Sequence, residues 1–229
     1  MAKKTDTTED KIHVVEEALS KSEQFIEKHQ KTLIIIIGAI IVIGLGIFAF
    51  QRLFIVPREK EAQGQMFMAQ KYFEQDSLNK ALNGDGNYVG FLSIIDDYSM
   101  TKASNLAKYY TGIIYLKQGK YEDAITYLGK FNGKDELVGP MATGGIGDAY
   151  TELGQKEKAL DYYLKAADQR DNNMTTSLYL MRAAWTYEDL GKFDKALELY
   201  TKIQKEHPKS MESRDIDKYI ERAKAMAGK

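Results

Sequence analysis

The sequence predicts an all-α chain: one transmembrane helix followed by an α-solenoid of helix hairpins. Two observations predict it. Residues 33–50 read LIIIIGAIIVIGLGIFAF, with no charge and no strong polar group. Beyond them, three segments align at spacings of 35 and 37 residues, each with a small residue, a Tyr, a Gly and an Ala at matching places. The first fixes a membrane anchor and the second a repeat array.

Residues 1–32 form a polar tail with six basic and seven acidic residues. Over 8–30 the spacing predicts an amphipathic helix, with Ile12, Val15, Leu19 and Ile26 on one stripe and Phe25 beside it. Ser22 interrupts the stripe. Such a helix suits the membrane surface, folding against itself, or a docking partner in the membrane. It is less cationic than helices held to lipid by charge.

Residues 33–56 form the anchor. The uncharged run spans roughly 27 Å at about 1.5 Å per residue, close to the hydrocarbon thickness of a bilayer. It does not read as a cleaved leader. The tail before it is long, and Phe50 stands where a cleavage site needs a small residue. Local charge gives no orientation: Lys21, Lys28 and Lys31 precede the run, and Arg52, Arg58 and Lys60 follow it. A short tail without bulky structure favours a cytoplasmic N-terminus.

Residues 57–104 read as a degenerate first hairpin. Pro57 suits the first turn of a helix over 58–75. An insertion, SLNKALNGDGN, precedes a second helix over 88–99. Residues 105–209 carry the three aligned hairpins. Gly119, Gly154 and Gly191 are placed to end each first helix in a left-handed turn. Ala124, Ala159 and Ala196 are placed where the second helix crosses the first closely. Tyr115, Tyr150 and Tyr187 are expected to fill space between repeats, and Pro208 to end the third hairpin. Residues 210–229 form a capping helix, with Ile216, Tyr219, Ile220, Ala223 and Met226 facing inward. A single hairpin cannot bury its apolar face, so stability belongs to the stack.

At these Tyr, Gly and Ala positions the chain resembles the tetratricopeptide repeat family. It departs from the pattern at Lys156, where an aromatic is usual, and at Gly144, Gly145 and Gly147 inside a first helix. Each interior Gly costs about 0.5–1 kcal/mol relative to Ala. That helix is therefore either a soft spot or a place of close helix approach. The layout of tail, anchor, aberrant hairpin and repeats, with FLSIIDDYSMTKASNLAKYYTGIIYLKQGKYEDAI at its centre, resembles the YfgM-type family. Members of that family are ancillary subunits of the SecYEG translocon. The resemblance implies a single-pass protein of the bacterial inner membrane, N-terminus cytoplasmic and repeats periplasmic. It implies partners among Sec translocon subunits, the periplasmic chaperone PpiD, or unfolded clients.

Composition excludes several functions. The chain has 32 basic and 33 acidic residues, and outside the tail the two signs balance. A neutral domain is a poor phosphate binder, so nucleic acid is not an expected partner. Without cysteine there is no disulfide, thiolate metal site or cysteine nucleophile. The segment 83–87, NGDGN, mimics the start of a calcium loop, but Tyr88 and Ile94 stand where that loop needs Gly and Glu. Gly145 and Gly147 lack the third glycine and preceding strand of a dinucleotide site. His13, His29 and His207 are scattered, and Asp96, Asp97, Asp215 and Asp217 read as solvated faces or helix starts. No catalytic residue, cofactor or metal site is assigned, and an enzyme is not expected.

In this repeat class one face of each first helix lines the concave surface. Projected here, that face gives Tyr109, Ile113 and Leu116, then Asp148 and Thr151, then Met181, Trp185 and Glu188. The expected groove is aromatic and aliphatic with two acids, suited to re-packing around varied clients. Repeats that clamp a terminal carboxylate place Lys and Asn at matching points. Here Tyr109, Gly144 and Met181 stand for the Lys, and Ile113, Asp148 and Trp185 for the Asn, so a carboxylate clamp is not expected. The alternative is a structural scaffold or adaptor of another envelope complex that binds no clients.

Overall fold

The computed structural model describes the backbone of residues 8–228 and the side chains of residues 28–228. Residues 1–7 of the tail, and the side-chain faces of its helix through residue 27, lie outside the described residues. The chain divides into two units, the first ending at Pro57 and the second starting at Arg58.

In the first unit, helix α1 (Thr8–Phe50) is followed by a π-helical turn at Gln51–Ile55 and by the start of α2 (Val56–Glu74). The apolar stretch reaches a mean hydropathy of 3.1 over 18 residues, and none of that window is buried. Protein covers none of its isoleucines from Ile34 to Ile47. A core helix of a soluble domain would be covered. This helix is long and apolar enough to cross a membrane. Phe50 and Phe54 stack at 5.5 Å near the end of the run.

The second unit is a chain of helices. After α2 come α3 (Leu78–Asn83), α4 (Phe91–Asp97), α5 (Lys102–Lys117) and α6 (Tyr121–Gly129). Then follow α7 (Val138–Glu152), α8 (Lys156–Gln169), α9 (Thr175–Asp189) and α10 (Phe193–Glu206). A 3-10 turn at Glu212–Asp215 leads into α11 (Ile216–Met226). There is no strand among the described residues, only an isolated bridge between Gly84 and Val89. From α4 onward each helix packs on the next, and α5, α7 and α9 also touch in series. That is an all-helical solenoid of hairpins.

Each hairpin turn is closed in the same way. Gly119, Gly154 and Gly191 hold φ near +74°, +71° and +69°. The residue after each glycine donates its N–H back to the carbonyl of Tyr115, Tyr150 or Tyr187, at 2.9, 2.9 and 2.8 Å. The glycine itself donates to the carbonyl of Leu116, Thr151 or Glu188. These paired bonds satisfy helix-end carbonyls that have no intrahelical partner. Past the turn, Ala124, Ala159 and Ala196 are wholly buried, so the two helices of each hairpin approach closely.

The glycines of α7 mark close approach. A Cβ on Gly144 would fall 1.9 Å from the Tyr179 ring, and one on Gly147 would fall 2.7 Å from the Tyr163 ring. Rings from α9 and α8 thus seat against the α7 backbone. Tyr115 and Tyr150 pack against Tyr127 and Tyr162 of their own hairpins, each at 5.4 Å. They border the core as well as bridging repeats.

In the degenerate hairpin, Ala62, Met66 and Ala69 bury one stripe of α2 with Phe91 and Ile94 of α4 and Ala107 and Ile114 of α5. The insertion contains α3, which the sequence reading did not resolve. NGDGN forms a turn: Asp85 Oδ1 accepts from Asn87 and Tyr88 N–H at 3.0 and 2.9 Å, and its Oδ2 accepts from Tyr72 at 2.6 Å. At the far end Ile216, Ile220 and Ala223 bury against α10, and Tyr219 is half-buried. Met226 corrects the expectation. It is the last residue of α11 and is exposed, because the buried stripe ends at Ala223.

Candidate functional site

The first helices of the three complete hairpins, α5, α7 and α9, line an open groove of about 610 Å³. Leu116, Asp148, Thr151 and Trp185 of the expected set meet in it. The sequence reading missed Tyr121, Glu152, Tyr163, Arg182, Thr186 and Asp189, which complete the lining.

The floor of the groove is a polar network. Arg182 of α9 pairs with Asp148 Oδ1 of α7. Tyr163 of α8 donates to the same carboxylate at 2.8 Å, and its hydroxyl lies 3.0 Å from Thr151 Oγ1. Three successive helices are therefore tied through one carboxylate. Burial, then the Asp148 charge, push the Tyr163 hydroxyl up to about 12. Burial works against the Arg182 charge, but Asp148 outweighs it and raises the guanidinium. Both effects keep the guanidinium charged and the phenol protonated at neutral pH.

Above this floor Trp185 is 44% exposed, with its ring 6.2 Å from Tyr219 of α11. Tyr121 donates to Glu152 at 3.2 Å on one wall. Lys156 pairs with Asp189 at 3.3 Å on the other. Lys156 is the position that departs from the usual aromatic, and here it supplies a charge at the rim. The groove sets Trp185 and Leu116 beside hydrogen-bonding groups and charges of both signs. It is more polar than the aromatic and aliphatic surface expected.

The other four expected residues lie elsewhere. Tyr109 packs against Phe131 and Tyr110, each at 5.7 Å, and Ile113 joins Leu128, Ala142 and Ile146. Met181 is buried in the core with Leu180 and Ala184 and offers no surface to an occupant. Glu188 is held by Arg222 of α11. The groove stripe of α9 is 182, 185, 186 and 189, rotated from the projected 181, 185 and 188. Arg182 carried no distinguishing signal in the sequence, because its partner lies 34 residues away in another repeat. Among the described residues no cluster of His, Asp or Glu could hold a metal.

Comparison with known proteins agrees with this geometry. One tetratricopeptide repeat family model matches residues 109–173, and a second matches residues 179–210. Among solved structures, the nearly identical TPR-like repeats of a Podosopora anserina kinesin light chain-like protein match with a TM-score of 0.56 and 12% identity. The match covers 74% of this chain and 88% of that one. A variant of the same repeats matches equally well. At that identity the likeness is one of fold. No curated protein matches the chain.

Proposed function

We propose that this chain, which carries tetratricopeptide repeats over 109–173 and 179–210, is a membrane-tethered protein-binding module. Repeats of this kind bind other proteins. The observation that supports a binding role here is the groove that brings Leu116, Asp148, Thr151 and Trp185 of three repeats together. Residues 33–56 are read as the membrane span, supported by the uncovered apolar helix. The layout's resemblance to the YfgM-type family supports a bacterial inner-membrane location, with the N-terminus cytoplasmic and the repeats periplasmic. In that setting the partners are Sec translocon subunits, a periplasmic chaperone or unfolded clients. Tethering would confine the groove to the exit side of the membrane and raise its effective concentration there.

A second reading has an observation in its favour. A groove floored by a fixed Arg182–Asp148–Tyr163 network suits one partner of defined chemistry, as a scaffold needs, better than a succession of apolar clients. Trp185 is the sole Trp, so its fluorescence reports groove occupancy in the full chain. Titration with unfolded envelope polypeptide should give a saturable shift that Leu116→Asp abolishes if clients bind. A folded, reconstituted chain with no shift and no co-migration would leave the scaffold reading.

A further inference from the structure

Met100, Leu137, Met174 and Met211 follow one another at intervals of 37 residues. Each stands at the turn into a helix: two residues before α5, directly before α7, directly before α9, and directly before the 3-10 turn leading to α11. Met100 and Met174 are each 63% exposed, Leu137 40% and Met211 73%. Met141, one helical turn beyond Leu137, is exposed as well. The repeat thus carries an apolar rung at every entry to a first helix and at the entry to the cap.

Helix capping does not use these side chains. Leu137 and Met174 occupy cap positions, where Ser, Thr, Asp or Asn is favoured. The capping is done two residues earlier. Asp135 Oδ1 accepts from Leu137 and Val138 N–H at 3.0 and 2.5 Å, and Asn172 Oδ1 accepts from Met174 and Thr175 N–H at 2.9 and 2.7 Å. The backbone is therefore held without the apolar side chain, much of whose surface stays exposed. Single exposed apolar residues are ordinary on any surface. Four at equivalent positions in one array call for a contact outside it.

The first rung identifies the occupant. Arg58, the first residue of the repeat unit, donates to the Asp97 carbonyl and lies 5.8 Å from the Tyr98 ring. Glu59 accepts the Lys102 N–H at 2.5 Å. The turn carrying Met100 is thus pinned to the start of α2, and Arg58 follows Pro57 and the apolar Leu53–Val56 directly in sequence. We infer that the edge of the repeat unit bearing these rungs rests on the lipid surface, its Met and Leu side chains entering the boundary between headgroups and acyl chains. The inference rests on residues 33–56 being a span. Covalent tethering makes a few shallow side chains sufficient, because the contact is intramolecular to a chain already at the bilayer.

The absence of cysteine allows a direct test. Single variants Leu137→Cys, Met174→Cys, Asp161→Cys and Val42→Cys of the full chain are labelled with a polarity-sensitive fluorophore. They are reconstituted into vesicles of neutral and anionic phospholipid, with or without spin-labelled lipid. All four positions are exposed, so helical content should be unchanged. Labels at 137 and 174 should be blue-shifted relative to 161, quenched by spin-labelled lipid and spared by aqueous iodide. Labels at 137 and 174 that behave like 161, while 42 is lipid-quenched, overturn the inference and leave the span intact. A label at 42 that lipid does not quench overturns both. Protection of 137 and 174 from iodide without lipid quenching overturns it in favour of a protein contact.

Discussion

A methyl group on Gly144 would lie 1.9 Å from the Tyr179 ring, whose burial leaves it little room to move. Gly144→Ala should therefore destabilise the repeats by about 1–3 kcal/mol, the usual cost of overpacking. Lys158→Gln, on the exposed face of α8, should change little. Equal melting temperatures for the two variants would refute the close approach of α7 and α9. The run of glycines was legible in the sequence as an anomaly, but the choice between soft spot and close approach depended on two rings 16 and 35 residues further on. Tyr163 gives a second test. Its hydroxyl ionises near pH 10 in an unfolded chain and at about 12 here. Between those values the native state holds a proton that the unfolded state has released, so this site's contribution to stability is present below pH 10 and lost as pH rises towards 12. A Tyr163→Phe variant should lose less stability than the parent across that window, measured by urea unfolding at stepped pH. Identical slopes would show that the shift is absent.

At the scale of the element, the hairpin turns were the most legible feature. A residue forced to positive φ recurs as Gly, and no other constraint competes there. Gly154→Ala should cost about 1–2 kcal/mol through the left-handed backbone alone, since the space around its Cβ is open. Asn172→Ala should cost a comparable about 0.5–2 kcal/mol by a different route, because two N–H groups at the start of α9 lose their acceptor. Asn172 also donates to the Glu136 carbonyl, so the variant should loosen the 134–137 turn as well. Hydrogen exchange would separate the two variants. Gly154→Ala should speed exchange around the α7–α8 turn, and Asn172→Ala at the starts of α7 and α9. The groove face was less legible than the helices that carry it. Helical period fixes which residues share a stripe, but not which stripe turns towards the groove. In α9, Tyr179, Leu180, Met181, Ala183 and Ala184 turn into the core, and the neighbouring stripe of 182, 185, 186 and 189 lines the groove. The short α3 was not legible because six residues carry too little pattern to register.

At the scale of the whole molecule, stability and placement make separate demands. The repeat unit ends in α11, whose Ile216, Ile220 and Ala223 cover Tyr200 and Ile203 of α10. Stopping the chain after residue 210 should expose that face, remove the Arg222 partner of Glu188 and cause self-association, as arrays without a cap do. A monomeric truncated chain melting like the parent would show that the cap is dispensable. Placement rests on the apolar helix. Local charge is tied across it, so orientation was not legible from the positive-inside rule, and the cytoplasmic-tail reading leans on the shortness of the tail and on family layout. The distinction has a clear readout. If the tail is cytoplasmic, protease added to spheroplasts should degrade the chain beyond residue 57 and leave a fragment containing residues 1–31 with the span. That pattern requires cleavage at a loop of the repeat unit, and the 83–88 connection, away from the four apolar rungs, is largely exposed. Protection of the repeats, with loss of an epitope placed at residue 2, would reverse the topology. The groove would then face the cytoplasm, and the proposed partners at the exit side of the translocon could not reach it.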